Sequence, residues 1–102
     1  MAGASEARDG VAEVAELEQV FRALAHDSRR HILVVLRARG GCMTAGEIAG
    51  RFSCSWPTTT RHLRVLEDAG LVRVRKQGRE RVYELATKHL DRVVGGWLAH
   101  FR

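Results

Sequence analysis

Hydrophobic residues recur every three or four positions at both ends of the chain, which is the spacing of helices that bury one face. A first helix is predicted to begin at Val11, with apolar positions at Val14, Leu17, Val20, Phe21 and Leu24. A last helix is predicted from about Lys88, and its apolar stripe consists of Leu90, Val93, Val94, Trp97, Leu98 and Phe101. Each stripe requires a surface to pack against.

Two further helices are indicated by capping residues in the first half of the chain. Asp27 and Ser28 can cap a second helix, which ends at Gly40–Gly41. Thr44, followed three residues later by Glu47, is the pattern of a capping box at the start of a short third helix.

The fourth helix has the clearest boundaries. Ser55 can cap it, and Pro57 falls in its first turn, where a missing N–H costs little. This helix is predicted to run to about Ala69 and to end at Gly70. The third helix, Thr44–Phe52, precedes it by a connection of three or four residues, which is the arrangement of a helix-turn-helix.

A two-stranded hairpin is predicted to follow. Residues 71–76 alternate apolar with basic side chains, the chain turns at Gln77–Gly78, and residues 79–85 alternate again. The predicted fold is therefore mainly α, a winged helix-turn-helix of about five helices with a hairpin as its wing. The domain is predicted over 11–102, after a flexible tail of residues 1–10.

The distribution of charge favours a polyanionic partner. The chain of 102 residues has a net charge of +5 and is long enough for one domain. Residues 1–27 hold six acidic and two basic side chains, whereas the remainder holds 15 basic and six acidic ones. Double-stranded DNA is the expected partner, although a basic face that is merely solvated stays an alternative.

Several function classes are excluded by composition. The longest apolar run, Ile32–Leu36, is far shorter than the roughly 20 residues of a membrane-spanning helix, so no membrane association is expected. Residues 1–10 lack the features of a secretory signal, and two cysteines are too few for a disulfide scaffold, so a cytoplasmic location is expected. No phosphate-binding loop, dinucleotide fingerprint or plausible catalytic triad is present, and an enzyme is not predicted.

The exposed face of the fourth helix is the candidate reading surface. If Thr59, Leu63 and Leu66 face the core, helical rotation places Pro57, Thr60, Arg61 and Arg64 on the opposite side, with Thr58 and His62 at its flanks. Threonine and arginine can both contact base edges in a major groove. With the basic wing, the predicted DNA-binding set is Ser55, Trp56, Pro57, Thr58, Thr60, Arg61, His62, Arg64, Arg75, Lys76, Arg79 and Arg81.

Several motifs resemble the ArsR/SmtB-type winged-helix repressors. They are Phe-Arg-Ala-Leu-Ala at 21–25, Ser-Arg-Arg-His-Ile-Leu at 28–33, Ser-Trp-Pro-Thr-Thr-Thr-Arg-His-Leu at 55–63 and Ala-Gly-Leu-Val at 69–72. The resemblance implies a homodimer, joined by the first and last helices, that binds an inverted repeat in a promoter and represses transcription. The expected dimer interface comprises Val14, Leu17, Phe21, Leu90, Val94, Trp97, Leu98 and Phe101.

Trp56 departs from the family pattern, because many relatives have glutamine at this position. The indole can contact a base, be buried or flank a phosphate. The sequence leaves these three interpretations open.

The family's metal ligands are largely missing. The paired cysteines of one family site are absent from Thr44–Phe52. Another family site has four ligands in the last helix. Three of its positions match Thr87, His89 and His100, and only the two histidines are metal ligands, so two of four ligands remain. No metal or other cofactor is therefore predicted. Two alternatives stay open, a zinc-responsive repressor that uses His89 and His100 with Asp91, and a winged helix that docks a protein instead of DNA.

Overall fold

The order of helices and strands is that of a helix-turn-helix followed by a hairpin. The computed structural model describes the backbone of residues 4–102 and the side chains of residues 13–102. Its first seven elements are α1 (Ala4–Leu24), α2 (Asp27–Ala38), β1 (Cys42–Thr44), α3 (Ala45–Ala49), α4 (Trp56–Asp68), β2 (Val72–Gln77) and β3 (Glu80–Leu85).

The last predicted helix is continuous but not uniform. It consists of α5 (Thr87–Leu90), a π-helical turn (Asp91–Gly95), α6 (Gly96–Leu98) and a 3-10 turn (Ala99–Phe101). These four segments are together called the C-terminal helix. Its buried contact with the core is made by Val93, with Leu90 and Val94 partly buried beside it.

Helix α1 begins earlier than its apolar pattern indicates. It starts at Ala4 rather than at Val11, and residues 1–3 lie outside the described part. The flexibility expected of residues 1–10 stays a prediction. The sequence of 4–10 has no apolar periodicity, but Ala4, Glu6, Ala7 and Arg8 have high intrinsic helix propensities. Periodicity therefore located only the portion of α1 that carries the apolar stripe.

Helix α2 is capped one residue before the predicted position. Its N-cap is His26, whose Nδ1 accepts from the Ser28 backbone N–H at 3.3 Å, so the assignment of the cap to Asp27 or Ser28 is corrected. The Asp27 carboxylate accepts from the same N–H at 2.7 Å. A carboxylate in the first turn also interacts favourably with the helix dipole.

The sheet has one strand more than predicted. The described strands form an antiparallel sheet in the order β1-β3-β2, in which Met43 of β1 pairs with Tyr83 of β3. Both of these side chains are buried. Strand β1 has three residues, too few for an alternating pattern to be recognised, and its pairing partner is about forty residues away.

The core is assembled around α4. The largest fully buried side chains of the core come from helices α1 to α4, from β2 and from the turn that joins α4 to β2. They are Val20, Ile32, Leu36, Ile48, Leu63, Leu66, Leu71 and Val72. Helix α4 is thereby held on one face, and its opposite face is left at the surface. None of the helices in the described residues is long and apolar enough to span a membrane.

Candidate nucleic-acid interface

The helix-turn-helix is bounded by two local caps. Thr44 and Glu47 form the predicted capping box, in which Thr44 Oγ1 accepts from Glu47 N at 3.1 Å and Glu47 Oε1 accepts from Thr44 N at 2.9 Å. Ser55 caps α4 by accepting from Thr58 N at 3.3 Å. Helix α3 spans Ala45–Ala49 rather than the predicted Thr44–Phe52, and the connection to α4 is correspondingly longer.

The predicted rotation of α4 is confirmed. Thr59, Leu63 and Leu66 are buried, whereas the residues that share the opposite face are exposed, namely Pro57, Thr60, Arg61 and Arg64. Ser55 and Trp56 are also exposed, and Thr58 is half-buried. A short, mixed apolar and cationic surface therefore lies along α4.

His62 does not belong to this surface. Its side chain is 7% exposed and packs against the ring of His26, with the ring centroids 4.5 Å apart. The Arg29 guanidinium lies 3.4 Å from its Nδ1. Its inclusion among the DNA contacts is therefore corrected. Its spacing of three residues from Thr59 and four from Leu66 is that of the buried stripe, but its polar side chain conceals the pattern.

Two arginines of α2 hold the end of α1, a role that the sequence did not indicate. Arg29 donates to the carbonyls of Ala23 at 2.7 Å and Arg22 at 3.1 Å, and Arg30 donates to that of Leu24 at 2.7 Å. The last carbonyls of a helix lack partners within it, so these bonds satisfy them. Arg29 thus links α1 to the His62 side of α4.

The stability of the protein is expected to fall in mild acid because of His62. Burial lowers the pKa of His62 below its usual 6.5, and the charges of His26 and Arg29 lower it further. The unfolded chain then binds a proton more tightly than the folded one, so the stability is complete above pH 6.5 and decreases as the pH falls below it.

An NMR titration of the His62 ring is expected to give a midpoint below 6.5. Replacement by asparagine should reduce the loss of melting temperature between about pH 7.5 and about pH 5.5. The matched control, His100→Gln at an exposed position, should leave that loss unchanged. A normal midpoint for His62 would contradict the prediction.

Thr59 carries a buried hydroxyl without a partner. The Oγ1 atom of Thr59 is buried, and it makes no hydrogen bond to any of the described residues. Such a group loses its hydration without compensation, at a cost of roughly 1–3 kcal/mol. Thr59→Val removes the hydroxyl at nearly constant shape and is expected to stabilise the domain by about 1 kcal/mol, measured by urea denaturation. Thr60→Val, at an exposed position, is the control, and equal effects would contradict the explanation.

The wing is a tight hairpin with a cationic tip. Gln77 pairs with Glu80, so Gly78 and Arg79 form a two-residue loop in which Gly78 has φ +65°. Glycine at the first loop position suits a type II′ turn. The wing side chains of the predicted DNA-binding set are all exposed, namely Arg75, Lys76, Arg79 and Arg81.

Lys76 and Arg81 lie directly opposite each other on β2 and β3. Like charges in this arrangement destabilise a hairpin. Within the described residues neither has a carboxylate within 4.0 Å, whereas Arg73 pairs with Glu84 at 3.4 Å. A polyanion bound across the wing would relieve this repulsion.

The residues expected at a dimer interface fall into two groups. Leu17, Phe21, Leu90 and Val94 are partly buried within the chain. Val14 is 61% exposed, Phe101 is 71% exposed, and Trp97 and Leu98 are each 38% exposed. Trp97 contacts Phe21 and Phe101 edge to face, with centroids 5.1 Å apart in both pairs. An apolar surface thus remains open between α1 and the C-terminal helix.

His89 is engaged by its own chain. Its Nε2 donates to the Ala69 carbonyl at 3.1 Å, and its Nδ1 lies 3.2 Å from Arg92 Nη2. Arg92 also pairs with Glu16 at 2.5 Å and holds the pKa of that carboxyl below its usual value. Both ring nitrogens therefore have partners, and the described residues contain no group of three or more potential metal ligands.

Residues 24–75 match the model of a helix-turn-helix domain family. The chain is 35% identical over 85 residues to the transcriptional repressor SdpR from Bacillus subtilis, and this alignment covers 83% of this chain and 91% of SdpR. It also resembles the structure of an ArsR-like transcriptional regulator from Rhodococcus sp. RHA1, with 32% identity, a TM-score of 0.74 and coverage of 86% and 80% of the two chains. The chain belongs to the ArsR family.

A second structural relative of this ArsR-family chain bears on its assembly. It is the homodimeric winged helix-turn-helix DNA-binding domain of a possible ArsR-family regulator from Mycobacterium bovis. The identity is 25%, the TM-score is 0.73, and the alignment covers 98% of this chain and 90% of that domain. The chain is thus a transcriptional regulator with a DNA-binding winged helix-turn-helix, like the named relatives of its family.

Proposed function

We propose that this ArsR-family chain is a homodimeric repressor that binds an inverted-repeat site in a promoter. In this proposal α4 enters the major groove through Pro57, Thr60, Arg61 and Arg64, and the wing contacts the flanking backbone or minor groove. The observation that carries it is the exposed cationic face of α4, followed in the chain by a wing in which, among the described residues, Arg75, Lys76, Arg79 and Arg81 have no carboxylate within 4.0 Å.

The dimer is supported by the open apolar surface. Val14 and Phe101 are large apolar side chains that this small domain leaves mostly exposed. A second copy that covers the same surface forms a two-fold symmetric pair, as in the homodimeric relative from Mycobacterium bovis. Such a dimer presents two α4 helices, and its preferred site is an inverted repeat with half-sites about one helical turn apart.

Selection of bound duplexes from a random pool tests the proposal. We expect an inverted repeat to be enriched, with an affinity that falls steeply between about 50 and about 200 mM salt. A protein-docking module would enrich no sequence and show no such salt dependence, which would overturn the proposal.

The wing is expected to contribute affinity rather than sequence preference. Arg79→Ala should weaken binding to all duplexes alike and reduce the slope of log K against log salt by about one unit per protomer, because one phosphate contact is lost. Arg73→Ala is the matched control, since Arg73 is already paired with Glu84 and its loss should change the slope less. An altered base preference in Arg79→Ala would count against a phosphate contact.

A further inference from the structure

The amino-terminal end of α4 exposes a tryptophan on the face that is proposed to enter the major groove. Trp56 is the first residue of α4 and is 56% exposed, although aromatic rings of this size usually bury most of their surface. Trp56, Thr60 and Arg64 are spaced four residues apart, so they form one row along the helix. The row begins with an apolar ring and ends with a cation.

Most hydroxyl protons at this end are used within the helix. Thr60 Oγ1 donates to the Trp56 carbonyl at 3.0 Å, and Ser55 Oγ donates to Thr58 Oγ1 at 2.9 Å. A hydroxyl has a single proton, so Ser55 and Thr60 in this arrangement have none to donate to a base. The helix end therefore presents chiefly apolar groups, which are the indole of Trp56 and the ring of Pro57.

We infer that Trp56 recognises the 5-methyl group of a thymine in each half-site, an inference that rests on the proposed DNA-binding function. The thymine methyl is the apolar group that base pairs display in the major groove, and apolar side chains contact it there. The surrounding charge favours DNA as the occupant, because the cationic side chains of Arg61 and Arg64 follow Trp56 on the exposed face of α4. Of the three interpretations of Trp56, burial is ruled out by its exposure.

Replacement of thymine by deoxyuridine tests this inference, because it removes the methyl group and leaves base pairing intact. The probe is the selected inverted-repeat duplex, with one thymine per half-site replaced at a time. We expect one position at which the wild-type protein loses about fourfold in affinity per half-site, as for one buried methyl group. Thymines elsewhere in the site should tolerate the change.

Three variants assign the effect to the indole. Trp56→Gln should bind the thymine and deoxyuridine duplexes equally, and Trp56→Phe should retain part of the preference. Val34→Gln, which alters an exposed apolar residue of α2, should retain all of it. Because Trp56 is exposed, we do not expect its replacement to affect folding. Equal melting curves of wild type and Trp56→Gln would verify this.

The possible failures are distinguishable. If the duplex is bound but no thymine is sensitive, or if Trp56→Gln keeps the preference, the inference is overturned and the proposed function stands. A uniform loss of affinity in Trp56→Gln, without any change in the thymine preference, would place the indole on the sugar-phosphate backbone and also overturn it. If no duplex is bound specifically, the proposed function itself is wrong.

Discussion

Replacing Val14 and Phe101 together by glutamate is expected to yield a monomer that no longer binds the inverted repeat tightly. Both side chains are mostly exposed in the single chain, so the substitutions bury no charge unless a second copy covers them. In the dimer, the four introduced carboxylates would lie in an apolar interface, where unpaired charge is strongly unfavourable. Sedimentation at micromolar concentration measures the change in mass.

The loss of DNA affinity should be large because the two half-sites would no longer be bound by one particle. In the dimer, binding of the first α4 helix holds the second one near its half-site at a high effective concentration. Loss of this coupling should lower the affinity for the inverted repeat at least about a hundredfold. Val34→Glu is the matched control, since Val34 is 65% exposed but lies on α2. A wild-type protein that sediments as a monomer, or a double variant that remains dimeric, would refute this interface.

Arg61→Ala and Arg64→Ala are expected to impair recognition more than any change in the wing. Both arginines lie on the exposed face of α4, and an arginine that binds a guanine edge with two hydrogen bonds contributes about five- to hundredfold in discrimination. Loss of either should therefore relax base preference at a particular position in each half-site. The double variant should retain only weak, salt-sensitive binding to random duplexes.

Competition between the selected duplex and single-base variants measures this preference. Arg37→Ala removes an exposed arginine in the last turn of α2 and should leave both affinity and preference nearly unchanged. If Arg61→Ala and Arg64→Ala weaken every duplex equally, both arginines hold phosphate, and the assignment of base contacts to this face is wrong.

The sequence alone predicted the part of the site that local interactions determine. The boundaries of α4 follow from the Ser55 cap and from Gly70, which adopts φ +75° just after the helix. Its buried and exposed faces follow from a 3.6-residue period, and the hairpin turn follows from Gly78. All of these signals act within a few residues, so a linear pattern contains them. Charge distribution and family motifs were likewise readable from the chain.

Only the tertiary structure decided which polar groups near α4 are available. His62 lies among His26 and Arg29, which are about thirty residues away, so its burial depends on how α2 packs. The pairing of β1 with β3 and the bonds between Arg29 and the end of α1 likewise join separate segments. For Thr59 as well, the sequence specifies a hydroxyl but not that it lacks a partner among the described residues packed around it. Burial and hydrogen bonding depend on the surrounding atoms, and packing brings those atoms together from distant parts of the chain.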